Sequence, residues 1–313
     1  MADAPTVFLA SYRGTAATKV LILFIGYIPC MVLLACLIAR PHLYRRYRTS
    51  VVPTVFGVAV TTLPQFVFNA VISIMLSQDV PTTVRICGTL KQITDKSTLG
   101  GFGVLPGVAV YRYLLLVWSC NVGMVGIVLL SVAFGAPQMV VGIFESLTGE
   151  PQDYDVCAVT LIFASRTLRQ CCNSYTVISF FVSIAFNLRV FFFLISHSKE
   201  KERQGMSATN ERAVSVSLLV QSVVPLTTIG AYCVSNAIYI ADSSIDMPSA
   251  LVLTLDLMSY ATPGANAIAT ILTLPSFQRA LLSLRHGLSP NTVASVSNSN
   301  RQKPSQVVPS TLQ

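Results

Sequence analysis

Lys91 and Asp95 stand four residues apart, so on a helix they share one face. Asp256 lies about seven residues into an apolar stretch, roughly 10 Å below its start. Ionisable side chains inside apolar helices face the interior of a bundle and mark either a binding site or an internal ion pair. Together with Tyr232, Asn236 and Tyr239 of the preceding apolar stretch, these residues form a candidate pocket carrying both signs of charge. The plainer reading is a structural Asp256–Lys91 bridge with no ligand. Cys87 and Cys157 are a second candidate pair, because outward-facing thiols form disulfides that persist in an oxidising compartment. Two free thiols, or Cys157 paired with Cys171 or Cys172, are the alternatives. Arg112 follows Cys87 by 25 residues, which is roughly 37 Å of helix. That length places the cysteine and the arginine at opposite ends of one membrane-crossing helix. There the arginine either anchors the chain at the interface or meets a partner. Catalysis is not expected. His42, His197 and His286 are scattered without metal-ligand spacing, and no phosphate loop or nucleophile motif occurs. No enzyme, metal or cofactor is therefore expected.

The elements that hold these residues follow from composition. The chain is 53% hydrophobic and 11% charged, against about 25% charged in ordinary soluble domains. Its apolar residues come in blocks of 18 or more, the length of a membrane-crossing helix. The blocks predict an all-α membrane protein, a seven-transmembrane helix bundle. The spans lie at about 18–39, 51–77, 87–116, 121–144, 171–195, 213–240 and 249–274. The first block is too long for a cleaved leader, and a basic cluster follows it, so it is expected to be a true span. Pro64, Pro225 and the pair Pro263-Gly264 are expected to bend their helices. The stretches 40–48, 145–170 and 196–212 read as loops, the second holding Glu145 and Cys157. After the bundle (18–274), Phe277, Ala280, Leu281 and Leu284 form one apolar stripe, predicting a short amphipathic surface helix over 275–286. Residues 287–313 read as a disordered cytoplasmic tail and 1–17 as an extracellular N-terminus.

Cations set the expected orientation. With the N-terminus outside, 14 of the 21 Lys and Arg fall on the inner segments. They are Arg40, Arg45, Arg46, Arg48, Arg112, Arg189, Lys199, Lys201, Arg203, Arg212, Arg279, Arg285, Arg301 and Lys303. The C-terminus is then cytoplasmic. The net charge of +8 is accounted for by this asymmetry, and nucleic acid is not an expected partner.

The order and spacing of Cys87, Arg112 and Cys157 resemble rhodopsin-type G-protein-coupled receptors. Tyr111-Arg112-Tyr113 before three leucines, and Gln221-Ser-Val-Val-Pro225, are more similar to the nematode serpentine chemoreceptors. The resemblance runs to about Arg285. Tyr111 stands where the rhodopsin type carries an acid, the second span has no aspartate, and Thr262-Pro263-Gly264-Ala265-Asn266 matches its last motif loosely. The resemblance implies a plasma-membrane receptor that binds an extracellular small molecule or peptide in the outer half of the bundle. Membrane lipid and a heterotrimeric G protein would be its other partners. It further implies a swing of the sixth span about Pro225 and a resting lock between Glu211 and Arg112. A static kink at Pro225 is the alternative. The rival function is a small-molecule or ion transporter, which predicts an internal repeat and broken helices near mid-membrane; no repeat is visible in the sequence.

Overall fold

The computed structural model describes residues 11–78, 84–120, 122–148, 150–152, 160–162, 165–203, 208–241 and 248–285. The chain is almost wholly helical there. α1 (Ser11–Ala39), α3 (Val51–Ser77), α6 (Gly123–Thr148), α7 (Arg166–Arg203) and α10 (Ser249–Thr273) are long and continuous. The third span is two helices, α4 (Val84–Gly101) and α5 (Val104–Leu116). The sixth is α8 (Ala208–Pro225), a π turn (Leu226–Gly230) and α9 (Ala231–Ala241). Short helices α2 (Pro41–Tyr47) and α11 (Pro275–Arg285) complete the set. Two three-residue strands, β1 (Glu150–Gln152) and β2 (Thr160–Ile162), pair antiparallel and depart from the all-helical expectation.

Six stretches among the described residues are long and apolar enough to cross a membrane: 17–39, 51–75, 86–116, 123–148, 167–197 and 212–238. The expected seventh, α10, is not among them. Asp256, Ser259, Thr262, Pro263 and Asn266 dilute its apolar character. The surface and interior are inverted relative to a soluble protein. Leu21, Phe24, Val125, Leu129, Phe181 and Phe192 are exposed, whereas Thr54, Gln65, Ser183, Asn187, Gln221 and Thr262 are buried. A lipid-facing helix needs this distribution, because its backbone bonds are internal and its polar side chains find partners only inside.

Several boundaries differ from the sequence expectation for local reasons. The basic stretch after α1 forms a helix, not a loop, because Pro41 sits at its first position, where a missing N–H costs nothing. The residue before it, Arg40, is kept out of the helical region, as residues preceding proline are. Leu274 is extended before Pro275 for the same reason, and so α10 ends and α11 begins. The third span breaks at Phe102-Gly103. There the glycines bring three helices together. A Cβ on Gly103 would stand 2.5 Å from Gly135 N, one on Gly107 would stand 2.7 Å from Ser131 Cα, and one on Gly101 would overlap the Thr61 side chain. Such backbone approach is what small residues permit between membrane helices. α6 runs past the expected 144 to Thr148, so Glu145 is helical and buried, not part of a loop. α7 continues to Arg203, consuming half of the expected loop 196–212.

α1 and α10 pack along their length in the same direction. Lys19 meets Asp256, Gly26 meets Gly264 at backbone distance, and the Cys30 thiol donates to the Pro263 carbonyl at 3.4 Å. At the far end Tyr47 Oη donates to Ser276 Oγ at 3.0 Å and stacks on Phe277, and Arg40 donates to the Ala280 carbonyl at 3.2 Å. Around the rest of the bundle, α3 packs on α1 and α4, α5 on α6 and α7, α7 on α8, and α8 on α10.

Candidate functional site

The charged residues gather at the end of the bundle where α1 begins. On α4, Lys91 Nζ lies 3.6 Å from Asp95 Oδ2, one turn along the same face. Gln65 of α3 donates to Asp95 Oδ1 at 3.3 Å, and Thr98 donates to Gln65 Oε1 at 3.3 Å. Asp256 of α10 is met by Lys19 of α1 at 2.8 Å. Lys19 Nζ also lies 4.8 Å from the centre of the Tyr260 ring. Tyr260 lies near Asn69 and in the field of Asp95 and Asp256. Tyr232 lies near Asn236 and in the same field. Lys91 feels Asp256 and Lys19 as well as Asp95. Five helices thus contribute to one cluster with two cations and two carboxylates.

The sequence brought Lys91, Asp95, Asp256, Tyr232 and Asn236 together, and the structure places them in this one region. The Tyr239 side chain lies outside the described residues. The counter-ion of Asp256 is Lys19, in place of the Lys91 considered from sequence. Lys19 was missed because it sits two residues inside the first apolar block and counts there as a boundary cation. The available signal was the lone aspartate of α10, which needs a buried partner.

A second polar cluster joins α4 to α6. Lys96 Nζ is 3.3 Å from Glu145 Oε2, and Gln92 donates to the same carboxylate. Glu145 is 4% exposed. Gly142 lets the Lys96 stem lie flat, since a Cβ there would touch Lys96 Cβ at 2.6 Å. Removing one partner strands the other in a poorly solvated place. Glu145→Leu is therefore expected to cost about 3 kcal/mol, read as a lower unfolding temperature in detergent, while Glu145→Gln costs less because it keeps a contact to Gln92.

At the opposite end, Arg112 is 4% exposed and its Nη1 donates to Ser215 Oγ of α8 at 3.2 Å. Tyr111 is buried in the apolar core around Leu218, Val108 and Phe277. Tyr113 packs edge-on against Phe186 and accepts from Trp118 Nε1 at 3.1 Å. The Glu211 side chain lies outside the described residues. Pro225 closes α8, and the helix widens into the π turn immediately after it. Proline cannot donate to the preceding turn, and a π turn absorbs the lost bond. Gln221, one turn earlier, donates to Thr270 Oγ1 of α10 at 2.6 Å, and Thr228 in the π turn pairs with Thr262 at 2.6 Å. Between the two ends, Thr54, Gln221, Asn266 and Thr270 line a narrow cavity with room for about one water molecule.

Cys87 is buried and disulfide-bonded, while Cys157 lies outside the described residues. Cys171 and Cys172 are free thiols.

Comparison with known proteins corrects the family resemblance drawn from short motifs. No serpentine or G-protein-coupled receptor family matches the chain. Tyr111 and Gln221, which carried much of that resemblance, have packing and hydrogen-bonding roles that any helical bundle can use. The chain is 25% identical over 252 residues to the uncharacterized protein ZK757.1 of Caenorhabditis elegans, covering 79% of this chain and 76% of the relative. A family model described as a protein of unknown function, DUF1182, matches residues 5–198, the stretch from the N-terminal segment to the end of the fifth apolar helix. The chain belongs to this family of proteins of unknown function, DUF1182.

Proposed function

We propose that the chain is a seven-span plasma-membrane receptor, with its N-terminus outside, its C-terminus in the cytoplasm, and a G protein as its inner partner. The observation that carries this reading is the placement of two polar sites at opposite ends of the same pair of helices. α4 holds Lys91 and Asp95, and α5, continuing the same span, carries Arg112 in its last turns, bonded to Ser215 of α8. The π turn beyond Pro225 lies between those ends on the partner helix. A ligand that alters the charged cluster would bias the sixth span about this turn and release Arg112 toward the inner face. The seventh span is supported by geometry instead of hydropathy. α10 lies parallel to α1, from Asp256 beside Lys19 past Gly264 beside Gly26, and the short helices that follow each of them meet where Tyr47 of α2 bonds Ser276 of α11, which supports a crossing of the same thickness. The cation asymmetry supports the orientation. A Cys87–Cys157 bridge over the outer mouth belongs to the same reading, supported by the bonded state of Cys87 and the free state of the other six cysteines.

Expressed with a G-protein activation reporter and screened against small molecules and peptides, the chain is expected to give a ligand-evoked signal. Arg112→Ala, at equal surface expression, should reduce it by tenfold or more, on the order of 1.4 kcal/mol of coupling. An undiminished signal in that variant would rule out Arg112 as the coupling end. A second reading, a small-molecule or ion carrier, is favoured by the break at Phe102-Gly103, since carriers use interrupted helices near mid-membrane. Solute flux in reconstituted vesicles, without any reporter response, would establish that reading and sink the receptor one.

A further inference from the structure

Lys19 does not sit in an ordinary surface ion pair. It is 3% exposed, its ammonium is 2.8 Å from Asp256 Oδ2, and the same ammonium lies 4.8 Å from the centre of the Tyr260 ring. A carboxylate on one side and an aromatic face on another is the chemistry that recognises an organic ammonium. The second carboxylate, Asp95, and a second ring, Tyr232, stand within electrostatic reach of Tyr260. Asp95 is already served by Lys91 at 3.6 Å and by Gln65 at 3.3 Å. The Asp256–Tyr260 cage is therefore the part of the cluster whose cation comes from a different helix, near the start of α1. Lys19 is only two residues inside the first span, and Asp256 keeps 23% of its side chain exposed. The cage is thus close to the mouth of the bundle, and its occupant is a flexible four-carbon stem whose head can move outward with little backbone change.

We infer that the Asp256–Tyr260 cage is an ammonium-binding site closed by the chain's own Lys19, and that its external ligand is a protonated small-molecule amine that displaces Lys19. This rests on the receptor reading of the same pocket and names its ligand class. The ligand's ammonium takes the Asp256 carboxylate and the Tyr260 face, while Lys19 swings to the interface where water solvates it. Because Lys19 competes, the wild-type chain binds amines more weakly than its cage alone would, by the fraction of time the cage stands open. Displacement also unties α1 from α10 at this end, which gives ligand binding a mechanical consequence.

The test uses the purified full chain in lipid nanodiscs, with thermal unfolding followed against concentrations of n-butylammonium chloride. Sodium chloride controls for ionic strength, and n-butanol is the uncharged isostere. Lys19→Ala is expected to show a saturable rise in unfolding temperature with butylammonium. The wild type should need about tenfold or more amine for the same rise. Lys19→Ala/Asp256→Asn should show none. Lys19→Gln, which keeps the stem length and packing, serves if the alanine variant does not fold, with the same expected order. Equal responses of wild type and Lys19 variants, equal shifts with n-butanol, or a full response in the Asp256→Asn background would each overturn the site. The receptor reading fails separately. Amine binding with no reporter signal for any amine would leave the site standing and remove the signalling role. A reporter signal evoked only by acids or uncharged compounds would do the reverse.

Discussion

Replacing Asp256 by leucine is expected to lower the stability of the folded chain by about 3 kcal/mol, and replacing Lys19 by methionine in the same chain is expected to return most of it. Lys19 is nearly fully buried, so the single substitution either strands its ammonium against the Tyr260 face or pulls its stem out of the α1–α10 packing to reach water. An uncompensated buried charge costs far more than the pair itself contributed, because the pair largely offset its own desolvation. The double variant removes both charges and leaves apolar groups of similar volume between α1 and α10. Unfolding temperatures of wild type, the two single variants and the double variant give the coupling directly as a double-mutant cycle. Additive losses would mean that Lys19 and Asp256 are not energetically linked, against the 2.8 Å contact. The partial exposure of Asp256, 23%, places the expected figure at the lower end for such pairs. The double variant should also be silent to butylammonium, since it lacks the cage carboxylate.

Gly103→Val is expected to abolish recovery of monodisperse folded protein, the largest effect of any single substitution considered. Its Cβ would stand 2.5 Å from Gly135 N and 2.6 Å from Gly135 Cα. The obstacle is backbone, which has no rotamer to yield, so α5 and α6 must separate. Separation would also disturb the neighbouring Gly107–Ser131 and Gly100–Met139 contacts on the same seam. Overpacking in a core that can adjust costs about 1–3 kcal/mol, and a contact repeated along a helix pair exceeds that. Gly57→Ala is the contrasting case. Its Cβ would meet only the Val104 side chain, at 3.2 Å, and a small shift of that side chain relieves it. Size-exclusion profiles of fluorescent fusions should show Gly57→Ala near wild type and Gly103→Val aggregated or absent. A monodisperse Gly103→Val profile would mean that the two helices are not in backbone contact.

The two effects differ in kind. The ion pair concerns compensation of charge, where both partners can go together. The glycine seam concerns volume, where no second substitution on the same helix restores the space. Both lie on contacts between separate helices, and so neither was visible as a local motif.

Much of the fold was legible in the order of residues. The blocks of apolar residues located six helices of membrane-crossing length, because hydrocarbon contact demands runs that a soluble core does not. The stripe of Phe277, Ala280 and Leu281 located the short helix after the last long one, and Phe277 and Ala280 are buried against the bundle. Lys91 and Asp95 were readable as one face of a helix, since spacing alone sets that geometry. Pro225 marked the place where α8 gives way to a π turn, because its missing donor is a property of the residue itself. What tertiary structure decided was which distant side chains meet. Lys19 carried no reading in the sequence until α10 laid Asp256 beside it, and Glu145 read as a loop acid until α4 supplied Lys96 and Gln92. The third span read as one helix until α3 and α6 closed on its glycines. Short motifs misled about family for the same reason: a tyrosine or glutamine in an apolar helix is compatible with many interiors, and its neighbours across the bundle are set by packing that local sequence does not encode.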